Sequence, residues 1–305
     1  MLQEFDLTQL EVSTDWRVDF GLWLRQTPSQ KKKRRSELSL EAYERDIKLM
    51  AAWFAEKYAI AFEPCQMNIQ NVGEYFALFE NAPATHKRKL ASLRLLIRWA
   101  MDTELIDLDP SAWIAYVDVV EEAPRDLNDE ERVMLELAAE ENESTLIGLR
   151  DSVIFFLMND AGLRISEVIG LLLSDLHLDE GYIHVLGKGT KHRKVRIASR
   201  LIGKIRLWLD RMPPSIEGTA VTDEQGLAIG RQAAWTRFCL LRDMAGVNAT
   251  PHSLRHTYVI RLMNAYVNDF MQSSTKGGAQ AFGKALKIVC HQTGDDEKTI
   301  LKYYN

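Results

Sequence analysis

The sequence predicts a two-domain protein that is mainly α-helical, with a small antiparallel β-sheet in its C-terminal domain. Three observations support this class. The chain has 305 residues, of which 46% are hydrophobic, and it is long enough for two cores at roughly 100 to 200 residues per domain. Apolar residues recur at three- and four-residue spacing along most of the chain. Alternation of apolar and polar residues, which is typical of strands, is confined to residues 182–197.

The first part of the chain predicts a helical domain over residues 1–120. After a basic run at residues 31–35, Ser39 is a suitable N-cap for an amphipathic helix. The apolar face of that helix consists of Leu40, Tyr43, Ile47, Met50, Phe54 and Tyr58. A second helix carries basic residues on a stripe that either contacts a nucleic-acid backbone or is simply solvated. These residues are Lys87, Arg94 and Arg98.

An acidic segment that contains Pro124 predicts a linker at residues 121–127, followed by a second domain at residues 128–305. Asn128 and Glu131 have the spacing of a capping box, which predicts the start of a helix. We expect that helix to extend to residue 139.

The second domain mixes helices with one hairpin. Residues 146–159 predict a buried helix that stops at Gly162, and residues 166–173 predict another helix. Residues 182–186 and 194–197 alternate with a period of two and flank a glycine-rich basic turn, which predicts a β-hairpin. Helical periodicity then continues to the C-terminus.

The charge of the chain is strongly segregated. The formal net charge is -5, which argues mildly against indiscriminate nucleic-acid binding. Residues 187–212, however, contain nine Lys and Arg against one acid, whereas residues 118–143 contain eleven acids against two Arg. Only the first of these segments is suited to contact phosphates.

The cysteines give no sign of a disulfide framework or a zinc site. Cys65, Cys239 and Cys290 are widely spaced and form no C-x-x-C pair. The first fifteen residues are unlike a signal peptide, and no run of about 18 apolar residues is present. We therefore expect a cytoplasmic protein with no membrane partner.

Candidate catalytic residues lie in three separated segments and in the turn of the hairpin. Two guanidiniums can bind the non-bridging oxygens of a phosphodiester. A phenol can act as the nucleophile and form a covalent ester with the phosphate. A lysine on the hairpin can protonate the departing oxygen, and imidazoles can bind the phosphate or assist the phenol. Such a reaction needs no metal or nucleotide cofactor. The residues are Arg164, Lys188, His252, Arg255, His291 and either Tyr303 or Tyr304.

Each of these residues alone has a simpler interpretation. A single arginine such as Arg164 is more often part of a surface ion pair, and Lys188 alone would be a solvated turn residue. His252 and His256 are spaced like a zinc pair, but no H-E-x-x-H pattern or third ligand accompanies them. We therefore expect no metal and a structural role for His256. The order, types and spacing together support the catalytic interpretation.

The ordered set resembles the tyrosine recombinase and phage integrase family, whose signature is Arg, Lys, H-x-x-R, His or Trp, and Tyr. Residues 161–167 (AGLRISE), 187–193 (GKGTKHR) and 251–257 (PHSLRHT) are similar to the boxes of Xer-like members, and residues 225–246 are similar to the helix before the last box. The resemblance implies that Glu167 braces the first box. It also implies an active-site set of Arg164, Lys188, His252, Arg255 and His291, with Tyr303 as the nucleophile.

The resemblance further implies that residues 1–120 are a core-binding domain that grips DNA opposite a catalytic domain at residues 128–305. The implied partners are double-stranded DNA with specific recombination sites, further copies of the chain in a homotetramer, and accessory proteins. The implied reaction passes through a 3′-phosphotyrosine and a Holliday junction. The DNA contacts that we expect are Lys87, Arg94, Arg98, Lys191 and Arg193.

Two intervals depart from the family pattern. Residues 264–279 are longer than the expected connection and predict an inserted loop. The interval between His291 and Tyr303 is also long and contains acids, which leaves Tyr304 open as the nucleophile. The sequence ends at Asn305, where many members continue into a docking segment. We therefore expect subunit coupling to be weaker or to use another element, such as the predicted loop.

Two other functions fit the same residues. A type IB topoisomerase uses a similar set, but the helical N-terminal half and the Xer-like boxes favour a recombinase. A DNA-binding regulator that has lost catalysis is the second alternative, against which the complete set of charged residues argues. No motif specifies the target sequence or the choice among integration, excision, resolution and transposition.

Overall fold

The computed structural model describes residues 15–28, 34–115, 125–187, 192–273 and 278–304. The chain divides into two compact units, residues 1–121 and residues 122–305, which we call unit 1 and unit 2. Each unit buries a hydrophobic core of its own.

Unit 1 is built from amphipathic helices around an aromatic core. Its helices are α1 (Trp16–Gln26), α2 (Glu37–Tyr58), α3 (Ile69–Ala77) and α4 (Pro83–Asp102). The apolar faces predicted for α2 and α4 are buried, as Phe54 and Leu93 illustrate. The predicted N-cap of α2 is wrong, because Ser36 rather than Ser39 occupies that position. The Ser36 Oγ accepts a hydrogen bond from the backbone N–H of Ser39 at 3.4 Å, and the helix begins earlier.

Unit 2 combines helices with one small sheet, so the predicted fold class is confirmed. At the start of α5 the predicted capping box is present: the Glu131 N–H donates to the Asn128 Oδ1 at 2.8 Å, and the Asn128 N–H donates to the Glu131 Oε2 at 3.1 Å. The helices are α5 (Asp129–Glu141), α6 (Leu146–Asn159), α7 (Ile165–Ile169), α8 (Ser199–Arg211), α9 (Arg231–Ala245), α10 (Pro251–Ser273), α11 (Gly278–Thr293) and α12 (Glu297–Tyr304).

Helix α6 lies at the centre of unit 2, and its predicted bounds are confirmed. Thr145 is its N-cap, and its Oγ1 accepts a hydrogen bond from the Gly148 N–H at 3.0 Å. Phe155 and Phe156 are almost completely buried in the core around it. Although α6 is apolar, no helix in the described ranges has the length and hydropathy needed to cross a membrane.

The sheet contains the predicted hairpin and one additional strand. Strands β1 (Leu176–His177), β2 (Tyr182–Leu186) and β3 (His192–Arg196) are antiparallel in that order. Ile183 pairs with Val195, and the two side chains are buried on the same face, as the alternation predicted. This face packs into the core of unit 2.

The helix predicted for residues 166–173 is shorter than expected. Helix α7 ends at Ile169, and Leu172 then forms an isolated antiparallel bridge with Thr219. The helix ends here because the next backbone N–H groups bond to a distant segment and not to the preceding turn. The Leu173 N–H donates to the Gly218 carbonyl oxygen at 2.9 Å.

The loop predicted at residues 264–279 is largely wrong. Helix α10 continues to Ser273 and α11 begins at Gly278. Met263 is buried between these helices, and Val267 and Phe270 pack against the same cluster at helical spacing. The apolar face of α10 therefore extends well into the segment that the sequence analysis assigned to a loop.

Gly162, in the turn before Arg164, is a glycine whose replacement we expect to be strongly destabilising. Its φ is 65°, and a Cβ atom at this position would lie 2.2 Å from the Tyr258 Cδ1. We predict that Gly162→Ala lowers the free energy of unfolding by about 2 to 5 kcal/mol, because overpacking adds to backbone strain. Urea unfolding followed by circular dichroism measures this loss.

Gly181→Ala is the matched control. Gly181 has a φ of 73°, but a Cβ atom there would have no neighbour within 4 Å. Only backbone strain of about 1 to 2 kcal/mol is expected. Equal losses in the two variants would contradict the packing argument.

Candidate active site

The first candidate arginine follows the sharp turn at Gly162. Arg164 is the N-cap of α7, and its backbone N–H donates to the Glu167 Oε2 at 2.9 Å. Its Nη1 donates to the Glu167 Oε1, also at 2.9 Å. The start of α7 therefore fixes both the main chain and the side chain of Arg164. The side chain is still 43% exposed and is accessible to a ligand.

Glu167 joins the arginines of the site, as the sequence analysis expected for the first of them. It accepts hydrogen bonds from the Arg193 Nη1 at 2.9 Å and Nη2 at 2.8 Å, and the Arg255 Nη1 lies 3.9 Å from its Oε2. Burial alone would raise the pKa of Glu167, but the hydrogen bonds from Arg193 and from the Arg164 backbone lower it below its usual value. Glu167 is therefore an ionised, buried carboxylate at neutral pH.

Arg255 is a buried arginine on the first turns of α10, with 1% of its surface exposed. Its Nη1 donates to the Gly162 carbonyl oxygen. Its Nη2 donates to the Thr293 carbonyl oxygen and to the Asp295 Oδ2, both at 2.6 Å. Arg255 thus connects α10 with the turn after α6 and with the end of α11.

Asp295 completes the cluster, although no motif in the sequence marks it as a site residue. It follows Gly294, whose φ of 70° ends α11 in a tight turn. The Asp295 Oδ1 accepts a hydrogen bond from the Arg164 Nη2, and its Oδ2 accepts one from the Arg255 Nη2. The two arginines that were predicted to clamp a phosphate therefore converge on one carboxylate.

The candidate nucleophile Tyr303 lies on α12 beside this cluster. Its ring packs edge-on against His256, with ring centroids 4.5 Å apart, and its centroid lies 6.4 Å from that of His252. Burial is the main cause that raises the pKa of Tyr303, and the charge of Asp295 raises it further. The charges of Arg255 and Arg164 lower it in part. The side chain of Tyr304 lies outside what the structure describes, so the choice between the two phenols stays a prediction.

The candidate histidines differ in their environment. His252 is exposed, and partial desolvation followed by the charges of Arg255 and Arg164 lowers its pKa. His256 is 3% exposed, and burial lowers its pKa. His291 lies exposed in the last turn of α11 and, among the described residues, takes no part in the hydrogen bonds of the cluster. Its place in the active site stays a prediction.

Within the described ranges, no three His, Cys, Asp or Glu side chains are grouped as metal ligands.

The two lysines of the hairpin turn, Lys188 and Lys191, lie outside the described residues. The structure describes only the strands on either side, which pair up to Leu186 and His192. The roles of Lys188 as an acid and of Lys191 as a DNA contact therefore stay predictions.

The predicted DNA contact of Arg193 does not fit the structure. Arg193 lies on the buried face of β3 together with Val195, and it is 8% exposed. Besides its two hydrogen bonds to Glu167, its Nε donates to the Gln292 carbonyl oxygen at 3.0 Å. Arg193 therefore has a structural role, since it holds Glu167 in place from the sheet.

The basic stripe of α4 needs one correction. The Arg94 Nη2 donates to the Ile114 carbonyl oxygen at 2.7 Å, and its Nε donates to the Ser111 Oγ at 3.4 Å. This arginine holds the segment after α4 and is not oriented as a DNA contact. Lys87 and Arg98 are exposed, as the stripe requires.

We predict that Glu167→Gln lowers the free energy of unfolding at pH 7 by about 3 to 5 kcal/mol, because it leaves buried guanidiniums without their counter-charge. The pKa of Glu167 is depressed by folding, so its charged form stabilises the protein above the pKa of the unfolded state, about 4.3. The difference between wild type and variant should shrink as the pH falls below that value. Urea unfolding between pH 3 and pH 7 measures it, and a constant difference would contradict the ion-pair assignment.

Comparison with known proteins identifies the family to which the chain belongs. The sequence model of the phage integrase family matches residues 128–271. Tyrosine recombinase XerD of Lacticaseibacillus casei is 31% identical over 232 residues, which cover 73% of this chain and 77% of that protein. Tyrosine recombinase XerC of Xanthomonas axonopodis pv. citri (strain 306) is 27% identical over 240 residues, which cover 74% of this chain and 78% of that protein.

Solved structures share the fold. A XerH site-specific recombinase bound to palindromic difH substrate aligns with a TM-score of 0.64 at 19% identity, over 87% of this chain and 76% of that chain. A lambda integrase dimer bound to a COC′ core site aligns with a TM-score of 0.63 at 16% identity, over 95% of this chain and 94% of that chain. The site places several arginines beside Tyr303, and a tyrosine recombinase is 31% identical over 73% of this chain. The chain therefore belongs to the tyrosine recombinase family.

Proposed function

We propose that the protein is a site-specific DNA recombinase that breaks and rejoins DNA strands through a covalent phosphotyrosine bond. One observation carries this proposal: Arg164 and Arg255 converge on a single buried carboxylate beside Tyr303. Two guanidiniums that each hold one oxygen of a carboxylate are spaced to hold two non-bridging oxygens of a phosphodiester. Membership of the family identifies that phosphodiester as part of a DNA backbone.

In the proposed reaction the phenol oxygen of Tyr303 attacks the phosphorus of one backbone phosphodiester. A bond forms between that oxygen and phosphorus, the bond from phosphorus to the 5′-oxygen breaks, and a 3′-phosphotyrosine ester results. The arginines stabilise the charge that develops on the phosphate oxygens. His252 has a lowered pKa, is therefore neutral at pH 7, and accepts the phenol proton.

The 5′-oxygen that departs needs a proton, and Lys188 is the proposed donor. The later attack of a free 5′-hydroxyl on the phosphotyrosine reverses these steps and rejoins a strand. Because the ester conserves the energy of the phosphodiester, the cycle consumes no nucleotide cofactor.

The proposal assigns residues 1–120 to a core-binding domain and residues 128–305 to a catalytic domain. The exposed Lys87 and Arg98 are the proposed backbone contacts of the first. Structures of lambda integrase contain a dimer on a core site and a tetramer on a Holliday junction. By analogy, we propose that this chain binds specific double-stranded recombination sites and acts as a homotetramer. The exchange passes through a Holliday junction. Accessory proteins set its direction.

Tyr303→Phe tests the proposal directly. The substitution removes the attacking oxygen, so we expect no covalent protein–DNA adduct and unchanged DNA binding. Cells that express wild type, Tyr303→Phe or the control Tyr304→Phe are lysed into denaturant, and the DNA that stays attached to the protein is recovered and sequenced. Wild type and Tyr304→Phe should yield one enriched sequence.

Other outcomes have defined meanings. An adduct that survives Tyr303→Phe but not Tyr304→Phe assigns the attack to the second phenol. Adducts scattered over many sequences point to a topoisomerase, and a wild type that forms none points to a regulator without catalysis.

Lys188→Ala tests the proton donor. We expect cleavage of an ordinary duplex to slow on the order of 10²- to 10⁴-fold while DNA binding changes little. A substrate with sulfur in place of the bridging 5′-oxygen should be cut at nearly the wild-type rate, because a thiolate departs without a proton. Lys194→Ala, which removes a neighbouring exposed charge, is the control. Failure of the sulfur substrate to restore cleavage would exclude Lys188 as the acid.

A further inference from the structure

Arg255 does not present its guanidinium to a ligand in this structure. It is 1% exposed, and its Nη atoms donate to the Gly162 and Thr293 carbonyl oxygens and to Asp295. A DNA backbone cannot enter a space this enclosed. Two of the three acceptors are main-chain carbonyls, one in the turn after α6 and one at the end of α11. Asp295 is the acceptor that uses its side chain, so it can leave by the smallest rearrangement of the chain.

Asp295 lies between the two arginines in the manner of a bound anion. Its Oδ1 accepts from Arg164 and its Oδ2 accepts from Arg255. The side chain is 4% exposed, so the charge is largely removed from solvent and depends on these partners. A phosphodiester offers two non-bridging oxygens at similar spacing and the same charge. The carboxylate and the phosphate therefore compete for the same donors.

The position of Asp295 in the chain couples this competition to the nucleophile. Asp295 lies in the short connection between α11 and α12, and α12 carries Tyr303. Gly294, with its φ of 70°, precedes it as a turn residue. Two backbone amides of the connection are hydrogen-bonded: the Gly294 N–H donates to the Cys290 carbonyl oxygen at 2.9 Å, and the Asp295 N–H donates to the Thr293 Oγ1 at 3.3 Å. Because only three residues separate α11 from α12, a movement of the Asp295 backbone moves the start of α12.

We propose that Asp295 is an internal counter-ion that occupies the place of the scissile phosphate between Arg164 and Arg255, and that DNA must displace it before strand cleavage. This inference rests on the proposed function for the identity of the phosphate. Without DNA, the carboxylate offsets part of the positive charge of the clamp and keeps Arg255 enclosed. When a backbone phosphate replaces it, the clamp opens to the substrate, and the displaced connection repositions Tyr303 on α12. The same carboxylate thus keeps the enzyme inactive until DNA is bound.

The competing interpretation is that Asp295 only positions the arginines. The two interpretations predict opposite signs for Asp295→Asn, which keeps the shape of the side chain and removes its charge. If Asp295 is a counter-ion, its loss strengthens anion binding. If it is a positioning residue, its loss misplaces the clamp and weakens anion binding.

The probe is inorganic phosphate, whose affinity is measured by isothermal titration calorimetry on the full chain without DNA. We expect Asp295→Asn to bind phosphate at least about tenfold more tightly than wild type, because two guanidiniums lose their internal anion. Glu297→Gln is the matched control: it removes an equal charge two residues away, from an exposed side chain in the first turn of α12. Equal phosphate affinity in Asp295→Asn and Glu297→Gln, or weaker binding in Asp295→Asn, would overturn the proposal.

A second measurement uses the wild type and decides the question even if Asp295→Asn does not fold. Hydrogen exchange of the amides at residues 293–296 is compared with and without the duplex recovered from the covalent adduct. Displacement of Asp295 requires faster exchange of the Gly294 and Asp295 amides when DNA is bound. Unchanged or slower exchange of both amides would refute the displacement.

The outcomes separate this inference from the proposed function. Tighter phosphate binding by Asp295→Asn in a protein that forms no DNA adduct supports the counter-ion and refutes the recombinase. A wild type that forms the adduct, with no gain in phosphate binding by Asp295→Asn, supports the recombinase and refutes the counter-ion.

Discussion

Pairing between buried guanidiniums and carboxylates is the interaction on which the catalytic unit depends. Arg193 and Arg255 are each less than one tenth exposed, and a charge at such a depth is tolerated only with a counter-charge in contact. Glu167 and Asp295 supply that counter-charge and are themselves buried. With Arg164, three guanidiniums face two carboxylates, which leaves one positive charge for a ligand. The imbalance suits a site whose ligand is a phosphodiester anion.

The same cluster joins parts of the chain that are far apart in sequence. Arg255 on α10 donates to the Gly162 carbonyl oxygen after α6 and to the Thr293 carbonyl oxygen at the end of α11. Arg193 connects the sheet to Glu167 on α7. Since the cluster joins residues near 165, 193, 255 and 295, the site exists only once most of the unit has folded. Contacts that stabilise the fold are therefore the contacts that place the reacting groups.

Local features of the fold were predictable from the sequence because their signals are local. The capping box at Asn128, the bounds of α6 and the facing side chains of the hairpin each depend on residues within a few positions of one another. The helix at residues 264–273 was missed because the interval is longer than the family's usual connection and was therefore predicted to be an inserted loop, whereas packing on α11 extends the helix. Tertiary contacts decided that boundary.

Of the candidate site, Arg164, Arg255 and the brace Glu167 were predictable from their boxes, whereas Asp295, the other partner of the two arginines, was not. Asp295 stands in a short turn with no periodic pattern, and its importance comes from arginines 131 and 40 positions away. Arg94 was predicted as a DNA contact because it lies on the basic stripe of α4, and Arg193 because it belongs to the basic hairpin segment. Their acceptors, on Glu167 and on the segment after α4, lie in parts of the chain that no local pattern connects to them.

A crystal structure of Tyr303→Phe on a nicked duplex that carries the captured site would test the central claim most directly. Our account predicts that the guanidiniums of Arg164 and Arg255 both lie within hydrogen-bond distance, about 3 Å, of the oxygens of one backbone phosphate. It also predicts that the Asp295 carboxylate has left the space between them. A phosphate bound elsewhere, with Arg255 still enclosed and paired with Asp295, would contradict the account.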